Sequence, residues 1–377
     1  MAGAWVAEII GISDVSVGYG SPEVPALMDS ICKLFGKRGL LIEPDEIARP
    51  PVDMPWGPAF ELKRISSDYP DHSPMWQRSY LSQALRTVER LRPKVLIVFG
   101  SSVFASLAGL KRRPERIIYH AYEFVSGLAE ADIDAHRLML GDIDLLITPD
   151  VERLVYDTRT VNVHPKQAVA IYNVADVSYP APVRRLPADQ RNGRFLWYGT
   201  LHRQQAMADY FTSELVRDFP IDLFGRITDP NAPDVEAALR SAHNIRYFGV
   251  APAEELNARR AENIFSFVWW NPQISPGHYY LPSNRFFTSI QAGVPPICAP
   301  HPQCVELIER YGCGMIMDDW SLNSFVKALE RGRRVYGTSA YADLVSNCEK
   351  AAQDELNWPR QFARIEPKIT EALAGAM

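Results

Sequence analysis

The chain has 377 residues, about two and a half times a typical domain of roughly 150, so two domains are expected. Its 40 basic and 45 acidic side chains leave a net charge of −5, which argues against a protein built for non-specific nucleic-acid binding, and an apolar fraction of 47% excludes global disorder. No stretch approaches the roughly 18 apolar residues of a membrane span. The N-terminus lacks the basic segment of a signal peptide. Five widely spaced cysteines fit reduced cytosolic thiols better than a disulfide framework.

In chain order, residues 5–12 (WVAEIIGI) are a strand-length apolar run, followed by the loop 13–21 (SDVSVGYGS). The spacing predicts a helix over 24–35 with Gly36 as its cap, and another over 76–91, where Leu81, Leu85, Val88 and Leu91 share one face. A buried strand over 94–99 (KVLIVF) follows, then strands at 116–119, 143–148 and 168–172. Strands recurring between helices imply right-handed crossovers and a mostly parallel sheet. The pattern breaks at 178–192, where Pro180, Pro182 and Pro187 read as a stiff linker. It restarts with strands at 194–198 (RFLWY), 221–224 (IDLF) and 245–248 (IRYF), each followed at once by glycine, and continues at 263–270, 296–299 and 314–317. The architecture expected is two doubly wound α/β domains: 1–177, the linker 178–192, and 193–355, with residues 356–377 as a C-terminal helix packing back on the first domain.

Ligands of doubly wound sheets sit outside the carboxyl ends of the strands. Gly199, Gly225 and Gly249 occupy that position in the second domain, each after an aromatic residue, and glycine there admits close approach of a ligand or of backbone. Thr200, Leu201, His202 and Arg203 follow the first glycine, and Arg226 follows the second. Backbone N–H groups with a cation suit a diphosphate; a solvated loop is the plain alternative. Residues 281–296 (LPSNRFFTSIQAGVPP) form the most specific segment, with Ser283 and Asn284 as caps of a short helix ending at Gly293. Arg285 lies in its first turn, where a cation is poorly matched to the helix dipole unless an anion accompanies it. A bound phosphate or a neighbouring carboxylate would each supply that anion.

Together, Gly199, Gly225, Gly249 and the PSNRFFTSIQAGVPPICAP segment resemble the donor half of GT-B glycosyltransferases, in particular the nucleotide-sugar-dependent glycosyltransferase family four. The 171–176 stretch (IYNVAD) resembles that family's Asn-Gly-Val-Asp segment, 119–124 (YHAYEF) its histidine-bearing loop after the fourth strand, and Gly249-Val250 with Glu254-Glu255-Leu256 its strand–loop–helix beside the base. Asn357-Trp358-Pro359 resembles the opening of its C-terminal helix. The resemblance implies two Rossmann-like domains facing across a cleft and transfer from a nucleoside-diphosphate sugar, the sole cofactor-like ligand, with no metal. It implies that Gly199, Thr200, His202, Arg203 and Arg285 line the diphosphate, with Gly225 and Arg226 beside them. Val250 would meet the base, and Ser283 and Asn284 the phosphate or ribose. His120 would face the sugar or its departing diphosphate.

The sequence departs from the family at Tyr280 and Thr288, which stand where two glutamates are usual, so either a single hydroxyl on Thr288 or another residue would have to hold the ribose. Pro276–Tyr280 (PGHYY) offers polar aromatics for sugar stacking instead. No His/Cys cluster has metal-ligand spacing. Retention of configuration is favoured by the resemblance; inversion would need a base, for which Asp14 and Glu123 are the candidates. Gly18 and Gly20 are the candidate contacts for a glycan, lipid-linked or small-molecule acceptor. Lys111, Arg112, Arg113 and Arg116 could dock a cytoplasmic protein on anionic lipid, or form a solvated turn. A catalytically silent relative that binds a nucleotide-sugar or a partner, and a sugar-nucleotide epimerase of similar architecture, are the alternatives.

Overall fold

The computed structural model describes residues 7–18, 21–47, 49, 51–52, 54, 57–176, 182–280 and 283–377. The chain divides into two compact units, Met1–Asp176 with Trp358–Met377, and Val177–Asn357. No helix among the described residues is long and apolar enough to cross a membrane.

The first unit holds seven parallel strands: β1 (Ile9–Ser13), β2 (Gly39–Pro44), β3 (Phe60–Ile65), β4 (Val95–Phe99), β5 (Arg116–His120), β6 (Leu145–Thr148) and β7 (Ala168–Ala170). Their spatial order is β3-β2-β1-β4-β5-β6-β7. The central strands β1 and β4 are fully buried and, Ser13 apart, without polar side chains, as a sheet covered on both faces requires. β2 and β3 fall in stretches that apolar patterning had not marked as strands. β3 (FELKRI) is the edge, where charged side chains discourage further pairing, and this composition hides it from a search for apolar runs. The helix Glu23–Leu34 carries Val24, Leu27, Met28 and Ile31 into the core, and Gly36 follows it at φ 61°. The helix Pro74–Leu91 starts on Ser73, whose hydroxyl accepts from the Trp76 N–H, and ends on Arg92 in the left-handed region. The final helix, Trp358–Leu373, is tied to this unit: Trp358 Nε1 donates to Ser30 Oγ at 2.9 Å, and the Tyr172 N–H donates to Gln361 Oε1 at 3.0 Å.

The second unit has six parallel strands: β8 (Phe195–Tyr198), β9 (Ile221–Phe224), β10 (Ile245–Gly249), β11 (Phe265–Val268), β12 (Pro296–Cys298) and β13 (Met315–Ile316). Their order is β10-β9-β8-β11-β12-β13, the doubly wound arrangement in which the chain leaves β8 for the far side through β11. Trp197, Phe211, Phe267, Trp269 and Phe325 form an aromatic core on one face of the sheet, with ring centroids 4.7–6.2 Å apart.

The proline-rich segment is not a free spacer where it is described. Arg191 is buried and donates to the carbonyls of Leu186, Asn263 and Gly293, while Arg185 Nε donates to the Gln291 carbonyl. Two arginines thus fasten residues 185–191 to the second unit; Pro180 lies outside the described residues.

Candidate functional site

The strand order of each unit sets a switch point beside its first strand, and polar chemistry collects at both. In the second unit the switch lies between β8 and β11. β8 ends in Trp197-Tyr198 and is followed by Gly199; β11 is followed by Trp269 and Trp270. The helix Asn284–Gln291 begins above this point, with Ser283 as N-cap accepting from the Arg285 N–H. Arg285 is buried, its guanidinium carbon 3.5 Å from the Trp197 ring centre and 5.1 Å from that of Trp270. Its Nη2 makes only a long contact, 3.5 Å, to the Trp269 carbonyl, and Nη1 has no partner among the described residues. No carboxylate pairs with it among those residues, so the anion required by its place at the helix N-terminus does not come from a neighbouring side chain. Burial holds its pKa down to about 9.

Two glycines pack at this point. Gly199 (φ 123°) lies against the guanidinium: a Cβ there would stand 3.8 Å from Arg285 Nε. Gly225 (φ 134°) packs on Gly199 so closely that a Cβ would fall 1.8 Å from the Gly199 carbonyl oxygen. Gly225 is therefore a packing requirement, whereas Gly249 (φ 71°) meets nothing within 4 Å.

The other expected donor-side residues divide. Asn284 is half-buried with its Oδ1 unpartnered among the described residues, and Thr200 is half-buried after Gly199. Val250 and Arg226 are exposed at the ends of β10 and β9. Arg203 is not an uncommitted cation: its Nε lies 3.2 Å from Asp209 Oδ1. His202 Nδ1 accepts from the Gln204 and Gln205 N–H groups and stands 3.7 Å from Asp229 Oδ2. Thr288 is committed as well. Its hydroxyl donates to the Asn284 carbonyl at 2.8 Å and meets the Tyr198 hydroxyl at 2.8 Å, which itself contacts the Arg285 carbonyl and Ser289 Oγ. The hydroxyl expected to replace the family's glutamate thus braces the helix that carries Arg285. Tyr280 ends the short helix Pro276–Tyr280, edge-on to Tyr279, and His278 Nδ1 bonds Ser275 Oγ at 2.8 Å.

In the first unit the switch lies between β1 and β4. Asp14 follows β1 and faces Gly100, which follows β4 at φ 94°; a Cβ on Gly100 would collide with the Asp14 carboxylate. Tyr122 donates its hydroxyl to Asp14 Oδ1. Burial, offset in part by that hydrogen bond and reinforced by the negative charge of Glu123, raises the Asp14 pKa to about 7. His120 is the last residue of β5 rather than part of the following loop, and it is buried with Nδ1 unpartnered among the described residues. Burial and the charge of Arg153 push its pKa down to about 3, so it is a neutral imidazole at physiological pH. Glu123 is exposed.

Sequence reasoning missed three members of this cluster. Arg153, in the helix Val151–Val161, is buried; it donates to the Tyr122 carbonyl at 2.5 Å and lies over the Phe124 ring at 4.3 Å. Tyr122 is the second. Glu23, in the first turn of Glu23–Leu34, is buried with both carboxylate oxygens unpartnered among the described residues, and burial raises its pKa to about 7. A charged residue inside an apolar helix face was the available signal for Glu23 and Arg153. Gly18 has φ 95°; Gly20 lies outside the described residues. Arg113 pairs with Asp142 at 2.5 Å and Arg116 with Asp144 at 4.0 Å, so only Lys111 and Arg112 of the basic run lack a carboxylate partner among the described residues. No group of three or more His, Cys, Asp or Glu side chains is placed to hold a metal among those residues, and all five cysteines are buried free thiols.

No protein-family model matches the chain, and no curated relative does. Solved structures do match over nearly the whole length. Sucrose-phosphate synthase from Thermosynechococcus elongatus has a TM-score of 0.75 at 13% identity, covering 97% of this chain and 99% of its own. The catalytic domain of starch synthase IV from Arabidopsis thaliana, bound to ADP and acarbose, has a TM-score of 0.71 at 11% identity, with 98% and 100% covered. HepE of Anabaena, in complex with UDP and glucose, has a TM-score of 0.68 at 11% identity, with 96% and 99% covered. The chain has the GT-B fold. At these identities the likeness establishes the architecture of two Rossmann-like units, and the chemistry has to be argued from the residues present.

Proposed function

We propose that this GT-B protein is a glycosyltransferase that moves a sugar from a nucleoside-diphosphate sugar to an acceptor hydroxyl. One observation carries the reading: the buried Arg285 guanidinium, without a carboxylate partner among the described residues, at a helix N-terminus beside Gly199 and the switch point of the second sheet. A buried cation at the positive end of a helix is costly unless an anion joins it, and a diphosphate supplies that anion. The UDP of the HepE complex and the ADP of the starch synthase complex support this ligand class.

In transfer, the bond from the anomeric carbon to the diphosphate oxygen breaks as the acceptor oxygen bonds to that carbon. Charge develops on the departing diphosphate, where Arg285 and the helix N–H groups stabilise it; this serves in place of a divalent metal. Ser283 and Asn284 are assigned to the phosphate or ribose, Thr200 to the diphosphate, and Val250 to the base. In the retaining course, favoured by the family resemblance, the acceptor's proton passes to the departing diphosphate. In an inverting course Asp14, titrating near neutrality beside Tyr122, is the base. His120 acts as a neutral hydrogen-bonding group towards the sugar. The acceptor, a glycan or lipid-linked alcohol, is assigned to the first unit at Gly18 and Gly20. We read the protein as cytoplasmic, with Lys111 and Arg112 as its contact with anionic lipid.

The test is thermal stabilisation by uridine, guanosine, adenosine and thymidine diphosphates, followed by transfer assays with the nucleotide that binds. No stabilisation by any of them rejects the donor site. Stabilisation without turnover on any acceptor favours the second reading, a silent nucleotide-sugar binder, which the replacement of both glutamates by Tyr280 and Thr288 motivates.

A further inference from the structure

The helix Pro74–Leu91 presents Gln83, Arg86, Thr87 and Arg90 at the i, i+3, i+4, i+7 spacing of a single face. That face does not meet solvent as a flat surface. With Lys63, Arg64, Ile65 and Ser66 of the edge strand β3 and its end, it walls an open groove of about 500 Å³. Four of the eight lining side chains are cationic and none is acidic. Arg64 shows what a neutralised cation looks like here: its Nε lies 2.7 Å from Glu43 and its Nη1 3.1 Å from Asp45. The other three have no carboxylate partner among the described residues. Lys63 Nζ donates to Thr87 Oγ1 at 3.3 Å, and Arg86 Nη1 donates to Ser82 Oγ at 3.1 Å. Each contact fixes a direction and leaves the charge uncompensated.

Ordinary charged faces interleave both signs, and this chain does so elsewhere along its helices. Arg240 pairs with Glu236, and Arg310 with Glu306, at i,i+4 spacing. Three unneutralised cations around a concavity repel one another, and the concave wall concentrates their field inside it. The groove volume falls within the range of small-molecule sites, and its guanidinium and ammonium groups are donors with affinity for phosphate oxygens, whereas the Thr87 hydroxyl and the Gln83 amide already donate to the Gln83 carbonyl and to Ser66 and Ser79.

We infer that this groove on the first unit is an anion site that takes a phosphorylated small molecule, through Lys63, Arg86 and Arg90. Anion binding in the groove is independent of the glycosyltransferase reading, because none of its residues belongs to the donor or acceptor assignments above; only the identification of the anion as an acceptor rests on that reading. A phosphate-bearing effector and a phosphorylated acceptor share the required chemistry. They differ in whether the bound molecule is consumed.

The probe is inorganic pyrophosphate, titrated calorimetrically into the full-length protein at low ionic strength. Arg285→Ala removes the proposed donor site, so binding that persists in that background reports the groove. Arg86→Glu/Arg90→Glu in the same background is expected to weaken this binding by at least about tenfold. Both side chains are solvent-exposed, and the melting temperature should be preserved. The charge-matched control is Arg334→Glu/Lys350→Glu, two exposed positions of the second unit, which should leave the binding unchanged. Should the glutamate pair fail to fold, Arg86→Gln/Arg90→Gln serves instead, with the same expected direction. Absence of pyrophosphate binding in Arg285→Ala, or an equal loss in the control pair, overturns the site. Where binding is lost as expected, transfer assays with phosphorylated sugars separate the sources. An acceptor appears in the product, whereas an effector changes the rate and is recovered intact.

Discussion

Replacing Arg285 by methionine should make the unliganded protein more stable while abolishing its response to nucleotide. In the folded chain the guanidinium has left water for a pocket of Trp197, Trp269 and Trp270, with one long hydrogen bond and no ion pair among the described residues. Its pKa falls from 12.5 to about 9, which at 1.36 kcal/mol per tenfold corresponds to about 5 kcal/mol against the charged form. For a base whose folded pKa is depressed, that penalty is present at every pH below about 9 and fades only as the pH rises beyond it. Measurements at pH 7–8 therefore see it in full. The figure is an upper bound, because methionine forfeits the cation's attraction to the Trp197 face and the bond to Trp269. A net gain of about 1–3 kcal/mol is expected, as for other buried charges exchanged for apolar side chains of similar length. For a unit of this size it corresponds to roughly 2–4 °C per kcal/mol in melting temperature. Saturating nucleoside diphosphate at about 100 times its Kd should stabilise the natural protein by about 2.7 kcal/mol and leave the variant unmoved. Urea denaturation and thermal melts with and without UDP measure both quantities. A methionine variant that is less stable than the natural protein, or that still responds to UDP, would refute the reasoning.

Three further outcomes are expected. Gly225→Ala, whose Cβ would fall 1.8 Å from a carbonyl oxygen, should cost about 4 kcal/mol or more, against about 1 kcal/mol for Gly249→Ala in open space; equal losses in urea denaturation would contradict the packing argument. Glu23→Gln should be pH-dependent. Burial raises this carboxyl from 4.5 to about 7, so its favourable contribution is complete below about 4.5 and is lost as the pH rises through 7. The variant should therefore gain up to about 3 kcal/mol over the natural protein at pH 8 and nothing at pH 4, and a difference constant with pH would sink this account. His120→Ala should lower kcat by about 100-fold without moving either limb of the pH–rate profile between pH 5 and 9, since burial and Arg153 keep the imidazole neutral throughout; loss of a limb near pH 6–7 would show that it titrates in turnover.

Much of the order of elements was legible because central strands such as VLIVF and FLWY are buried throughout and so read as unbroken apolar runs. The same rule hid β3, an edge strand whose FELKRI sequence alternates charge with carbon to keep other chains from pairing with it. Around the candidate site, the glycines at the ends of β8, β9 and β10 could be marked from position alone, but their functions could not be told apart. Gly225 exists for its contact with Gly199, and Gly249 meets nothing within 4 Å. Charge was the least legible property. Arg203, Arg285 and Arg226 look alike as letters, yet Arg203 pairs with Asp209, six residues on, while Arg285 lies under two tryptophans with no carboxylate. Thr288 likewise offered a hydroxyl to a ligand on paper and spends it on Asn284 and Tyr198.

By itself, then, the sequence determined the succession of strands and helices apart from β2 and β3, the two-unit α/β class, and the strand-end positions that are candidates for a ligand. These follow from local periodicity and from glycine's lack of a side chain. Only the tertiary structure decided which cations remain unneutralised, which carboxyls are driven towards neutrality by burial, and that β3 and one face of a helix enclose a basic groove. Charge compensation and desolvation depend on neighbours brought together from distant parts of the chain, and no local pattern records them.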